Sequence, residues 1–471
     1  MANPGKPNHS LFSLLLLFPF FVLSSSLYSP QDNHLVACGS TSVPALADHR
    51  RFFPDSSCHL HSSGATFAVS DPSRDSPPLH RTARVFSKPS SYEFRVKKKG
   101  THLIRLHFYP FSTSDFNLSS ASFHVAAYGI SLLSNFATSV PVLKEFLIPV
   151  DAEKLVISFF PAEKSSFAFV NAIEVVSAPG DLIGDTASLV KPDQVEIFNG
   201  LSRQSFETIY RINIGGPKVT PFNDSLWRTW VPDTEGLGFV KLDSSASKTV
   251  SFSGRISYRK YGASREVAPD NVYSTARVSD SDHNMTWVFP VSLGYRYLVR
   301  MHFCDFASVT LNQLYFNIYV NGYLAYKNFD LSDATGQLLA SPFYIDFVAD
   351  VGSSGLLTIG IGPSKLSNPS WVPGLLNGLE IMKMNNTFGN LDGQVPLVLT
   401  MEDPAIRGIG EFIRSILCGF AFTSLLVVVF ILALRLRAEL RNTLGWSPLP
   451  TDVPGSKLAK GYTVASGKLD F

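Results

Sequence analysis

Four side chains have the types needed for acid–base chemistry: His107, His302, Glu174 and Glu380. An imidazole within reach of a carboxylate can move a proton. Asp305 and Glu380 would make a glycosidase pair if their carboxyls stood about 5 to 9.5 Å apart across a sugar. Yet both histidines and both glutamates sit in blocks that occur twice in the chain, and a duplicated position serves the shared fold before it serves one active site. Metal patterns fail on spacing. Cys58-His-Leu-His61 has suitable ligand types but no partner cluster at zinc spacing. Asp280, Asp282 and Asn284 open like a calcium loop, but Met285 stands where glycine is needed and Val291 where the closing glutamate belongs. Gly360-Ile-Gly-Pro-Ser-Lys365 lacks the spacing and ending of a phosphate loop. No catalytic, cofactor or metal residue is assigned. What remains is recognition, with Trp227, Trp230, Trp287, Tyr109, Tyr128 and Trp371 as aromatic faces on which a sugar ring could lie.

The elements that hold these residues are short runs of β-branched and aromatic residues, punctuated about every ten positions by Gly, Pro, Ser and Asn. Thr101–Tyr109, Lys154–Phe160, Tyr295–Phe303 and Leu314–Val320 are examples, and the pattern is that of sandwiches or barrels. Leu103, Arg105 and His107 alternate with Ile104, Leu106 and Phe108, as in a strand with one buried face. The runs repeat. Leu103–Phe111 aligns with Leu298–Phe306, Val170–Val176 with Leu376–Met382, Ala37-Cys-Gly-Ser40 with Asn213-Ile-Gly-Gly216, and the block ending at Asp55 with that ending at Asp233. Four blocks in one order mean two copies of a β module. The expected boundaries are 30–178 for the first copy, 179–206 for a linker and 207–388 for the second.

Two apolar runs frame the modules. Leu11–Leu23, preceded by Lys6 and followed by three serines, has the order of a signal peptide covering residues 1–28, too short to cross a bilayer that needs about 20 helical residues. Residues 416–434 carry no charge and are followed by Arg435, Arg437 and Arg441, the pattern of a single transmembrane helix with its C-terminal end in the cytoplasm. This predicts a type I plasma-membrane protein, with 389–415 as a juxtamembrane segment and 435–471 as a disordered inner tail. The formal net charge of +2 then divides: residues 30–411 hold 32 basic and 35 acidic side chains, the tail from Arg435 holds 6 and 3, and Lys6 and Arg414 supply the remaining two positive charges. Such a balance excludes a generic nucleic-acid binder. Asn117, Asn223, Asn284 and Asn385 begin glycosylation sequons in the predicted exterior. Cys38 and Cys58 are a candidate disulfide that would tie the first strand to the next loop.

The "ACGS" block at 37–40, the Arg-x-His-Phe strand blocks, His302-Phe303-Cys304-Asp305, and Asn377-Gly378-Leu379-Glu380-Ile381 resemble the ectodomain of plant malectin-like (CrRLK1L) receptor-like kinases of the FERONIA and THESEUS type, over residues 30 to about 440. The resemblance implies an all-β fold of two tandem malectin-like β-sandwich (jelly-roll) domains plus one transmembrane helix. The partners it implies are secreted peptides of the RALF class bound with a GPI-anchored co-receptor, pectin of the cell wall, and full-length receptor kinases. It assigns no ligand-binding residues. Residues 435–471 hold no Gly-rich loop, His-Arg-Asp loop or Asp-Phe-Gly, all needed for phosphoryl transfer. The expected function is therefore a kinase-less receptor-like protein, a co-receptor or decoy in wall and growth signalling. A truncated fragment or gene model of a receptor Ser/Thr kinase, and a membrane-anchored carbohydrate-active hydrolase, are the alternatives.

Overall fold

The computed structural model describes residues 28–41, 45–73, 76–234, 239–242, 247–260, 262–279, 283–367, 374–393, 430 and 432–435. The expected signal peptide lies outside them, apart from Tyr28. So does the expected span, of which only Phe430 and residues 432–434 are described and helical, and so does the tail after Arg435. Among the described residues no helix is long and apolar enough to cross a membrane.

The described residues between 28 and 393 are built of strands, with helix among them reduced to 3₁₀ turns and the four-residue Asp270–Tyr273 and Leu331–Ala334. One 13-stranded sheet runs through both copies of the module. Its second-copy part places Arg296–Cys304 between Pro342–Asp350 and Gly378–Met384, and continues to Phe206–Asn213. Its first-copy part runs from Val142–Val150 through Gly100–Phe108 and Ala172–Ser177 to Asn33–Ala37 and Arg50–Pro54. The two parts meet edge to edge, Phe146 opposite Glu207 and Leu147 opposite Phe206. Each part packs against its own five-stranded and three-stranded sheets. Ile104, Leu106, Phe108, Phe123, Ile157 and Phe169 belong to the first core; Val299, Met301, Phe303, Trp287, Ile318 and Ile381 belong to the second.

The duplication extends to single atoms. Asn171 and Asn377 each accept a backbone N–H on Oδ1 at 2.7 Å, from Tyr109 and Cys304. Asp55 and Asp233 are buried, and each binds an arginine, Arg84 or Arg277, and the N–H of a glycine, Gly39 or Gly215. Both glycines have φ of +72°, and a Cβ would meet the carbonyl oxygen of Ala83 at 2.2 Å or of Ala276 at 2.4 Å. Only glycine fits that close approach.

Three expectations differ from the structure. The first is the disulfide: Cys38 and Cys58 are both free thiols. The Asp55 carboxylate ties the first strand to the next loop instead, through Gly39 N–H, Arg84 and the Tyr92 hydroxyl. Second, the stretch 179–206 contains the hairpin Thr186–Val190 and Val195–Asn199, which extends the large sheet beside Pro342–Asp350. Its Pro and Gly residues flank the strands rather than forbid them. Third, Asn390–Asp392, assigned from sequence to the juxtamembrane segment, folds back onto the first copy. Ser131 N–H donates to Asn390 Oδ1 at 3.1 Å, Leu391 N–H to the Ser131 carbonyl at 2.9 Å, and Ser134 N–H to Asp392 Oδ2 at 2.8 Å. Leu391 is fully buried in the first core. Leu391→Ala leaves a cavity there and is expected to cost about 2 to 5 kcal/mol, measured as a shift in the denaturant midpoint of the full chain.

Candidate functional site

Alternation puts Leu103, Arg105 and His107 on the face of the large sheet that points away from the first core. Sequence patterning leaves that face to solvent, but Leu103 and Arg105 are 1% exposed and His107 is 7%. The reason is a roof of loops. Residues 219–230 of the second copy cross over the first, and Arg105 Nη2 donates to the Leu226 carbonyl at 2.6 Å. Arg300 Nη1 likewise donates to the Leu182 carbonyl at 2.6 Å.

Under this roof runs a row of alternating charge, one residue per strand. Glu174 stands opposite Arg105 and Arg105 opposite Glu145; across the seam Arg211 stands opposite Glu380, Glu380 opposite Arg300, and Arg300 opposite Asp346. Arg105 reaches Glu174 and Glu145, each at 2.7 Å. Glu145 joins the two copies, since its other oxygen receives Arg211 Nη2 at 2.6 Å. Arg211 Nε continues to Glu380 at 2.7 Å, and Arg300 pairs with Asp346 at 2.7 Å. Arg50 adds a pair to Glu174 at 2.5 Å. Four arginines thus face four carboxylates, all buried. Burial alone would raise the Glu145 pKa, but Arg211 and Arg105 outweigh it and hold the carboxyl at about 2. Glu174 and Glu380 are likewise held low against their burial, by Arg105 and Arg211 respectively.

The repeated histidines close the row. His107 Nε2 donates to Glu174 Oε1 at 2.9 Å and His302 Nε2 to Glu380 Oε2 at 3.3 Å. An ionised carboxylate only accepts, so in the neutral rings Nδ1 is left as an acceptor. Tyr273 OH donates to that atom of His302 and His80 Nε2 to that of His107, both at 3.1 Å. Burial, with His107 beside it, pushes His80 down to about 3. Glu380 therefore spends both oxygens on internal partners and stays ionised, which leaves it without the proton a general acid delivers. Asp305 accepts from the N–H groups of Ala307 and Ser308 in its own loop. No metal-ligating cluster occurs among the described residues.

The aromatic residues divide sharply. Trp230 and Trp287 are fully buried, Tyr128 bonds Asp151 on a distant hairpin, and Trp371 lies outside the described residues. Tyr109 and Trp227, from different copies, line one cleft of about 490 Å³ above the charged row. Arg50, Glu145, Arg211 and Lys218 line it too. Sequence reading missed all four, because a charged residue in a half-polar strand or in a loop reads as solvent-facing. The signal available was its neighbours: Glu145 and Arg211 each sit within apolar runs, Val142–Val150 and Ile209–Ile214. Of the sequon asparagines, Asn117, Asn223 and Asn284 are exposed; Asn385 is half-buried, and its Oδ1 accepts Ser205 N–H.

Glu145→Ala leaves Arg105 and Arg211 facing each other without their shared anion, and is expected to cost about 3 to 5 kcal/mol in denaturant unfolding. Acid acts in the same direction. Unfolded His titrates near 6.5 and Glu near 4.3, above the folded values of about 3 for His80 and about 2 for Glu145. The unfolded chain therefore binds protons first, and stability is complete above about pH 6.5. It falls as His80 titrates between about 6.5 and 3, then further as Glu145 titrates between about 4.3 and 2. His80→Tyr, which copies the Tyr273–His302 contact without a titrating ring, is expected to flatten the pH dependence of the thermal midpoint between pH 6.5 and 4.

The malectin-like domain family matches residues 36–384. A probable receptor-like protein kinase of Arabidopsis thaliana, At5g24010, is 44% identical over 466 residues, covering 95% of this chain and 55% of its own length. The chain thus spans about half the length of the curated relatives it matches. The ANXUR1 extracellular domain of Arabidopsis thaliana is 31% identical with a TM-score of 0.69, covering 78% of this chain and all of that one. A plant complex of the peptide RALF23 with FER and LLG2 contains a chain 31% identical with a TM-score of 0.66, matched over 78% of this chain and 99% of its own. Duplicated sandwiches, a continuous sheet and these relatives agree: the chain belongs to the malectin-like domain family and carries the ectodomain fold of plant CrRLK1L receptor-like kinases.

Proposed function

We propose that this chain is the recognition part of a single-pass plasma-membrane receptor-like protein that binds a secreted RALF-class peptide together with a GPI-anchored co-receptor. The observation that carries the reading is the likeness of 78% of this chain, over 99% of the matched chain, to a chain of the RALF23–FER–LLG2 complex. The pinned seam supports it, because a rigid pair of sandwiches presents one fixed surface to two partners at once. In this reading the exterior is glycosylated at Asn117, Asn223, Asn284 and Asn385, residues 416–434 cross the membrane, and wall pectin is a companion ligand. In this reading the chain acts as a co-receptor or decoy, changing which receptor kinases are occupied or assembled. One observation favours a second reading. Its relative At5g24010 is named a protein kinase and is covered only to 55%, so the chain is also read as the outer half of a longer receptor kinase. Mapping the transcript downstream of the Phe471 codon separates the two.

The direct measurement uses the full chain in lipid nanodiscs, titrated with a RALF-class peptide in the presence and absence of a GPI-anchored co-receptor ectodomain. Saturable binding that tightens when both partners are present is expected. Absence of saturable binding in both titrations would overturn the peptide reading.

A further inference from the structure

Asn385 differs from the other three sequon asparagines. Asn117, Asn223 and Asn284 stand exposed, whereas Asn385 is half-buried where the strand Gly378–Met384 ends. Its side chain is held in one setting: Ser205 N–H donates to Asn385 Oδ1 at 3.0 Å, and Asn385 N–H donates to the Ser205 carbonyl at 3.0 Å. A backbone N–H only donates, so the atom it meets is the amide oxygen, and this fixes which way the amide is turned. Nδ2 is left over. It makes no hydrogen bond among the described residues. It is also not one of the buried polar atoms that lack a partner, so it opens to solvent.

Asn385 lines a recess of about 470 Å³, and so does Thr387, the last residue of its sequon. That volume falls within the roughly 300 to 1,000 Å³ of small-molecule sites. The walls carry the groups that an N-acetylglucosamine needs. Tyr295 and Phe198 are half-buried and give apolar surface for a ring face and an acetamido methyl. Arg296 and Asp350, both exposed and paired at 2.9 Å, supply a donor for the acetamido carbonyl and an acceptor for its N–H and for hydroxyls. Three parts of the chain meet here. Phe198 comes from the 186–199 hairpin, Tyr295, Arg296 and Asp350 from the second sandwich, and Asn385 and Thr387 from the root of the strap. Asn386 folds that root, its Oδ1 accepting the N–H groups of Phe388 and Asn390 at 3.0 Å, before residues 390–392 cross to the first copy.

We propose that Asn385 carries an N-linked glycan whose first N-acetylglucosamine is seated in this recess as a structural part of the fold, tying the hairpin and the strap root to the second sandwich. This rests on the reading of the sandwiches as a cell exterior, and it gives one sequon a role that the three exposed ones lack. In the transfer, Nδ2 bonds to C1 of the sugar of a lipid-linked pyrophosphate donor as the C1–O bond breaks. The phosphate oxygen leaves with the electron pair, and Nδ2 gives up one of its two protons to solvent. Oδ1 takes no part, so the latch to Ser205 persists in the glycosylated chain. Nδ2 has no partner to lose.

The test is glycopeptide mass spectrometry of the full chain made in plant cells, with thermal midpoints measured on the same preparations. Asn385 is expected to be occupied. Thr387→Ala, an exposed change that removes the sequon but keeps Asn385, should lower the midpoint by about 2 to 4 °C. Thr387→Ser, which keeps the sequon, should not. Ser119→Ala, which removes the sequon of exposed Asn117, should leave the midpoint unchanged, as should enzymatic trimming of every glycan to its first sugar. A midpoint that Thr387→Ala leaves alone, that both Thr387 variants lower equally, or that trimming lowers as far overturns the seat. An unmodified Asn385 beside a glycan on any other sequon overturns the proposal and leaves the exterior reading standing. No glycan on any of the four overturns the exterior reading, and the proposal with it.

Discussion

A charge taken out of water must be given a partner, and that requirement organises this molecule. Moving one carboxylate into the interior costs several kcal/mol even after relaxation, and here four carboxylates and four arginines lie under one roof of loops. They can be there only in alternation, with Glu174, Glu145, Arg105 and Arg211 each shared between neighbours and Arg300 paired with Asp346. The row crosses the junction of two sandwiches at Glu145, whose two oxygens serve arginines of different copies. The backbone seam itself is brief, two residue pairs long. Side chains complete the join: the charged row, the bridge Lys144–Glu207–Lys383 with contacts of 2.7 and 2.5 Å, and the return of residues 390–392 to the first core. Separating the copies would strand ions on both sides, which is why the junction behaves as interior rather than as a hinge.

Duplication explains what is structural, and its failures locate what is specific. Asn171 and Asn377, Asp55 and Asp233, His107 and His302 do the same work twice. The copies part company around the histidines. His80 stands where the second copy has Tyr273, and Tyr109 where it has Cys304. Cys304 is buried, whereas Tyr109 turns a ring toward an open cleft. The covering segments differ too: a Trp-bearing loop of the partner copy over the first ladder, and residues 181–184 over the second. The cleft and its aromatic walls thus lie where the repeat is broken, a pattern that no single-module description contains.

Much of this was legible in the amino-acid sequence, for a physical reason. Period-two alternation and matched blocks report the face turned to the sandwich core, because that face is apolar throughout. The recurrence of the histidine and glutamate pairs in the sequence corresponds to matched, buried His–Glu contacts in the two copies. The outer face was not legible. Arg105, Glu145 and Arg211 follow the same alternation that a solvated face would show, and only the roof of loops, a matter of tertiary path, tells a buried ion row from a wet one. The Thr186–Val190 and Val195–Asn199 hairpin was hidden by flanking Pro and Gly, whose turn chemistry is local and says nothing of the strand between them. The aromatic residues could be named but not sorted, since Trp227 and Trp230 are three apart and one lines a cleft while the other is sealed in a core.

The return of Leu391 to the first sandwich also sets the route by which force enters the molecule. A pull on the chain beyond residue 393 does not act first on Gly378–Met384, which lies inside the second sandwich between two hydrogen-bonded neighbours. It meets the Asn390–Asp392 strap and is delivered to the Ile130–Phe136 hairpin of the first copy. Tension is thereby divided between the two sandwiches before any sheet hydrogen bond is peeled. The short seam is then loaded together with its ion row rather than opened from one end, and the cleft keeps its shape until the strap lets go.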